Sequence, residues 1–125
     1  MKNYIIVIVF IMCCLLSCTK ERVSATVTFD ASKDTTFIVE RHAQTPTSMK
    51  YNIQGHLDNK ALLIITYYKS EVKGNENVKL EIPLDSGKVS INDKYWDFYD
   101  NTYHALITFK HLKNNKGKLT VNTAL

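Results

Sequence analysis

The chain has 125 residues, of which 45% are hydrophobic and 22% charged, with a formal net charge of +4 at pH 7. That length holds one domain and not two, and so small a charge, scattered along the sequence, excludes the dense basic face that nucleic acid requires. All three cysteines lie within Cys13-Cys14-Leu15-Leu16-Ser17-Cys18, which leaves everything after them without a disulfide, a thiol nucleophile or a cysteine-ligated zinc site.

In chain order, the first feature is an apolar run over residues 4–16 behind the single basic residue Lys2. Its 13 residues fall short of the roughly 20 that a spanning helix needs. A basic head, an apolar centre and a small residue, Ser17, just before Cys18 follow the three-part layout of a secretory signal. The tetrad Leu15-Leu16-Ser17-Cys18 resembles the lipobox of bacterial lipoproteins, with Leu16 bulkier than the tightest form of that pattern. The resemblance implies cleavage before Cys18 and acylation of Cys18 by diacylglycerol and a palmitate-type chain. Residues 1–17 are then the signal peptide, 18–23 a tether, and 24–125 a single folded domain. Two or three acyl chains anchor stably, because each buried methylene contributes about 0.8 kcal/mol. In lipoproteins of this kind an Asp after the cysteine directs retention at the inner membrane; Thr19 implies the outer membrane instead, on its periplasmic face or at the cell surface. The 108 residues that remain carry 15 basic against 12 acidic side chains, or +3.

From Val23 the hydrophobic period is 2, the signature of half-buried strands. Val23, Ala25, Val27 and Phe29 share one face and Ser24, Thr26 and Thr28 the other, until residues 30–34 break the run. Residues 35–43 read as a second strand, ended by a loop containing Pro46. Residues 51–57 alternate again and residues 60–68 form a long β-prone run. Asp58-Asn59 between them tolerates the backbone of a tight turn, so these two runs are expected to pair as a hairpin, with Ile53 opposite Ile64 if the loop is two residues long. The unbroken aliphatic stretch 62–65 implies a strand whose second face is covered or meets something else. Residues 69–77 read as a charged exposed loop. Val78, Leu80 and Ile82 form the next strand, expected to stop at Pro83. Residues 85–87 are a turn, Val89 and Ile91 a short strand, and Asn92-Asp93-Lys94 another turn. Tyr103, Ala105, Ile107 and Phe109 alternate, and residues 114–117 turn into a last strand whose Leu119 and Val121 close the core. Eight or nine short strands with turns 8 to 12 residues apart predict an all-β fold, a single antiparallel β-sandwich, with a small β-barrel as the alternative.

Chemistry-bearing patterns are sparse. His42, His56, His104 and His111 have no local pair at ligand spacing, so no metal is expected. There is no Gly-x-Ser-x-Gly elbow, no phosphate-binding loop and no His-Glu-x-x-His, and no catalytic residue or cofactor is expected. Lys110, Lys113, Lys116 and Lys118 cluster among Asn and Gly and read as a solvated turn. The stretch of residues 94–104 combines rings with polar groups, as ligand-binding surfaces do. Tyr95, Trp96, Tyr99, Tyr103 and His104 are its candidate binding residues. Strand alternation also allows Trp96 and Phe98 to be core, with Tyr95 and Tyr99 on the opposite face. The expected function is a membrane-anchored, non-catalytic binding module whose partner is a protein or glycan. The alternative is an inhibitor or immunity protein against an envelope-targeting enzyme or toxin, acting through a loop such as 69–77.

Overall fold

A computed structural model describes residues 24–41, 48–68, 79–97 and 103–125. The lipobox with Cys18, the tether at 18–23, Pro46, the loop at 69–77, Phe98 and Tyr99 lie outside the described residues. Eight strands follow one another: β1 (Ser24–Asp30), β2 (Thr35–Val39), β3 (Ser48–Leu57), β4 (Ala61–Tyr68), β5 (Lys79–Leu84), β6 (Gly87–Asp97), β7 (His104–His111) and β8 (Gly117–Ala124). They form two four-stranded antiparallel sheets, sheet A in the order β1-β8-β3-β6 and sheet B in the order β2-β7-β4-β5. The fold is therefore the expected sandwich and not a closed barrel.

The pairing β1 with β8, β2 with β7, β3 with β6 and β4 with β5 is that of one long two-stranded ribbon, doubled back at β4 and β5 and rolled up so that its segments alternate between the sheets. Rolling then adds the contacts of β8 with β3 and of β7 with β4. This is the connectivity of a double-sheet jelly roll. Only β4 and β5 are consecutive partners in one sheet.

Three local expectations are corrected by that topology. Asp58-Asn59 closes no hairpin: β3 lies in sheet A and β4 in sheet B, so Ile53 pairs with Ile91 and Val121 while Ile64 pairs with Glu81 and Thr108. The backbone groups that a hairpin would have bonded across its own turn are taken by another corner of the roll. Asn115, 4% exposed, accepts from the Asp58 and Asn59 N–H groups at 3.0 Å each and donates its Nδ2 to the Asn59 carbonyl at 2.7 Å. Pro83 does not end its strand. It sits inside β5 opposite Leu62, where β5 is the sheet edge and a missing donor faces no partner. Asn92-Asp93-Lys94 is not a turn either: β6 runs through it with a register shift against β3 between Tyr51 and Ile53. Asp93 takes φ 51° and donates its N–H to Asn52 Oδ1 at 2.7 Å, so the extra residue is absorbed as a β-bulge.

The core follows the period-2 reading. Met49, Ile53 and Leu57 of β3, Leu63 and Ile65 of β4, Ala105, Ile107 and Phe109 of β7, and Leu119 of β8 are fully buried. Phe29 meets Phe109 across the sandwich with centroids 5.1 Å apart. At the β3/β8 seam Gly55 has φ 150°, and a Cβ there would overlap the Lys118 carbonyl oxygen. Only glycine lets these two backbones approach so closely.

Candidate ligand-binding face

The aromatic stretch is divided between two surfaces. Trp96 sits opposite Met49, faces inward, and stacks on Tyr67 of the other sheet with centroids 4.9 Å apart at 15°. Tyr67 also packs on Tyr103, 5.5 Å away, and its hydroxyl donates to the Asp97 carbonyl at 2.9 Å. Trp96 and Tyr103 are thus partly buried rings packed against the core. His104 Nδ1 accepts the Arg41 N–H at 2.8 Å, and Arg41 Nε donates to the Tyr103 carbonyl at 3.0 Å, a tie between the segment after β2 and the start of β7. Tyr95 stands apart on the outer face of sheet A, 57% exposed, with Lys50 Nζ 6.0 Å from its ring centroid and Lys50 itself 2.7 Å from Asp93. Trp96, Tyr103, His104 and Tyr95 therefore do not form one surface.

The outer face of sheet A carries a regular array instead. Reading across β1, β8, β3 and β6 by register, the outward positions are Ser24, Ala124, Lys50 and Tyr95; then Thr26, Asn122 and Asn52 beside the bulge at Asn92 and Asp93; then Thr28, Thr120, Gln54 and Ser90; then Asp30, Lys118, His56 and Lys88. The second and third rows are almost wholly amide and hydroxyl. Asn122 Nδ2 donates to Thr26 Oγ1 at 2.9 Å, Thr28 and Thr120 share a hydroxyl hydrogen bond of 2.9 Å, and Gln54 Nε2 donates to Asn92 Oδ1 at 3.0 Å, whose Nδ2 donates to Ser90 Oγ at 3.2 Å. These bonds use one end of each amide and leave Asn52 Nδ2, Gln54 Oε1 and Asn122 Oδ1 with no hydrogen bond to a protein group among the described residues. Asn52, Gln54, Thr120 and Asn122 line a shallow hollow of about 320 Å³, continuous through Gln54 and Thr120 with a second of about 500 Å³ that reaches Gly55, Lys88, Val89 and Ser90.

Chemically the array offers directed donors and acceptors in a fixed plane, a ring at one end and cations at the other. At its edge, the Asp30 carboxyl is held below the usual carboxylate range, first by the Ser32 N–H at 2.8 Å and the Ser32 side chain, then by Lys33 and Lys118. Among the described residues no three His, Cys, Asp or Glu side chains gather as metal ligands would. The alternation of residues 51–57 is the one sequence signal that could have put Asn52 and Gln54 on a common face. Their alignment with Thr120, Asn122 and Ser90 needs the strand order, because those residues come from β8 and β6. No known protein family, curated protein or solved structure matches the chain.

Proposed function

We propose that the protein is an envelope lipoprotein, acylated at Cys18 and held at the outer membrane, whose sandwich is a non-catalytic binding module that takes a glycan on the outer face of sheet A. One observation carries the choice of face: the central strands β3 and β8 place Asn52, Gln54, Thr120 and Asn122 side by side over a hollow. Asn is a poor strand former, and several local departures from propensity gathered at one spot are expected at functional sites. Glycan fits better than protein because, among the described residues, the face carries a single aromatic side chain, Tyr95, at its margin and amides and hydroxyls at its centre. Protein interfaces draw most of their affinity from a cluster of buried aromatic and Arg side chains, whereas a polyol needs directed hydrogen bonds beside a ring, here Tyr95.

Binding of the detergent-solubilised full chain to immobilised polysaccharides tests the face. Asn122→Ala and Gln54→Ala are expected to abolish retention while stability stays within about 0.5 kcal/mol, as for exposed substitutions generally. Retention unchanged in both variants overturns the assignment. The anchor has its own test: Cys18→Ala should lose incorporation of labelled palmitate and leave the membrane fraction, and a variant that remains labelled removes Cys18 from the reading.

A further inference from the structure

Lys110 and Lys118, the two ends of the lysine cluster near the C-terminus, lie on opposite faces of the sandwich. Lys110 projects from the outer face of sheet B, opposite Leu62, whereas Lys118 projects from the outer face of sheet A, opposite His56, which in turn lies opposite Lys88. Three adjacent strands thus present Lys118, His56 and Lys88 in one row along the border of the amide array. With strands about 4.8 Å apart, the two ammonium-bearing positions are roughly 10 Å from each other. Neither lysine belongs to an ion pair among the described residues, while the nearby cations Lys50 and Lys60 are held by Asp93 and Asp85. Lys88 also lines the second hollow together with Gln54, Ser90 and Thr120, so a chain lying in that hollow passes within reach of it.

We propose that the glycan is acidic: a polyhydroxylated chain whose hydroxyls meet Asn52, Gln54 and Asn122 and whose carboxylate or sulfate groups meet Lys88 and Lys118. This rests on the reading of the sheet A face as a glycan surface and adds the charge of the ligand to it. Two carboxylates border this row: Asp30, opposite Lys118 at the β1 edge, accepts from Ser32 and is drawn to Lys118, and Asp58 lies 3.5 Å from His56 Nε2. Lys88 at the β6 end lines the second hollow and gives an anionic substituent its main point of contact, with Lys118 the second.

Titration of the full chain with polygalacturonate, and with the same polymer after chemical reduction of its carboxyls, tests it. Tighter binding of the acidic form is expected, weakening as salt rises from low to physiological concentration because exposed charges are screened over about 8–10 Å there. Lys88→Gln with Lys118→Gln should lower affinity for the acidic polymer about tenfold, the scale of two exposed ion pairs, and lower it for the reduced polymer by a clearly smaller factor. Equal binding of the two polymers, or a double variant that behaves as the parent, overturns the acidic assignment while the glycan surface stands. If neither polymer binds, with sulfated and neutral polysaccharides also failing, the glycan surface itself falls.

Discussion

The two outer faces of the sandwich are built on the same backbone pattern and filled in opposite ways. On sheet B the central strands β4 and β7 present, besides the exposed Lys110 near the end of β7, Leu62, Ile64, Thr66, Leu106 and Thr108, half-buried, with Ile38 of β2 beside them at 47% exposure. These are β-branched or aliphatic side chains that a pleated surface favours. On sheet A the equivalent central strands present Lys50, Asn52, Gln54, His56, Lys118, Thr120 and Asn122. Sheet B supplies stability from local propensity. Sheet A gives that up over an area shaped by hydrogen-bonded amides, and such an exchange is intelligible where a ligand is to be met. The aliphatic stretch 62–65 belongs to the first pattern: Leu63 is fully buried between the sheets while Leu62 and Ile64 pack among outward neighbours of β7 and β5.

The largest expected break between the sheets lies at their seams. Sheet A depends on Gly55, where an added Cβ meets the Lys118 carbonyl and the Leu119 side chain, and the backbone angle of 150° is one that side chains rarely adopt. Gly55→Ala should destabilise by about 3 kcal/mol, the scale of a strained backbone joined to a steric clash. A denaturation midpoint that hardly moves would show that β8 can withdraw from β3 without loss.

Next in size is the contrast between neighbours on β6. Trp96→Ala removes a partly buried ring stacked on Tyr67 and should lower stability by about 2–3 kcal/mol, below the full cost of a wholly buried ring. Tyr95→Ala, one residue away on the exposed side, should change it by less than about 0.5 kcal/mol and instead weaken glycan retention. Equal melting shifts for the two would contradict the inward and outward assignment.

Much of this was readable from residue order, and the reason is local. Period-2 alternation assigns faces strand by strand, so Ala25, Val27 and Phe29 against Ser24, Thr26 and Thr28 could be sorted without knowing any partner. What escaped was everything set by the rolling of the ribbon. Asp58-Asn59 has the residue types of a hairpin turn, and turn chemistry says nothing about whether the next strand returns to the same sheet; that was decided by Asn115, 56 residues away from Asn59, which takes up the corner's N–H groups. Pro83 reads as a strand breaker until β5 is known to be an edge, and Asn92-Asp93 reads as a turn until β3 is known to supply Asn52 opposite it. The candidate site divided in the same way. Tyr95 and Trp96 could be placed on opposite faces by alternation, but the amide array joins residues from β3, β6 and β8 that only the topology brings together.

A smaller effect follows from exchanging the two surfaces. Asn122→Val in sheet A should raise stability by about 0.5 kcal/mol, within the span of strand propensities, and abolish glycan retention. Thr66→Asn in sheet B should lower stability by a similar amount and leave retention intact. Opposite signs in stability with loss of binding on one face alone is the outcome that separates a functional surface from a merely soluble one. If Asn122→Val were destabilising, its bond to Thr26 would matter more to the fold than its exposure implies.

The smallest effect concerns the corner where β1 leads into β2. Asp34 accepts from the His111 N–H at 3.0 Å and from His111 Nδ1 at 2.6 Å, and its carboxyl is held below the usual range by the backbone bond first, the side-chain bond second and the nearby positive charges of His111 and Lys110 after them. Because the folded state lowers this pKa, the ionised group favours folding. That contribution is fully present above the unfolded value near 3.9 and is lost as pH falls through the lower native value. Stability measured by urea denaturation should therefore fall below about pH 4, and Asp34→Asn should flatten part of that slope while remaining slightly less stable than the parent at pH 7. Asp30 is shifted in the same direction by Ser32, so the double variant should flatten it further. A profile identical to the parent's would mean that both carboxyls, exposed as they are, exchange their protein partners for water without consequence, leaving the corners of the roll to the buried Asn115 network and to backbone bonds such as that from the Ala31 N–H to the Gly117 carbonyl.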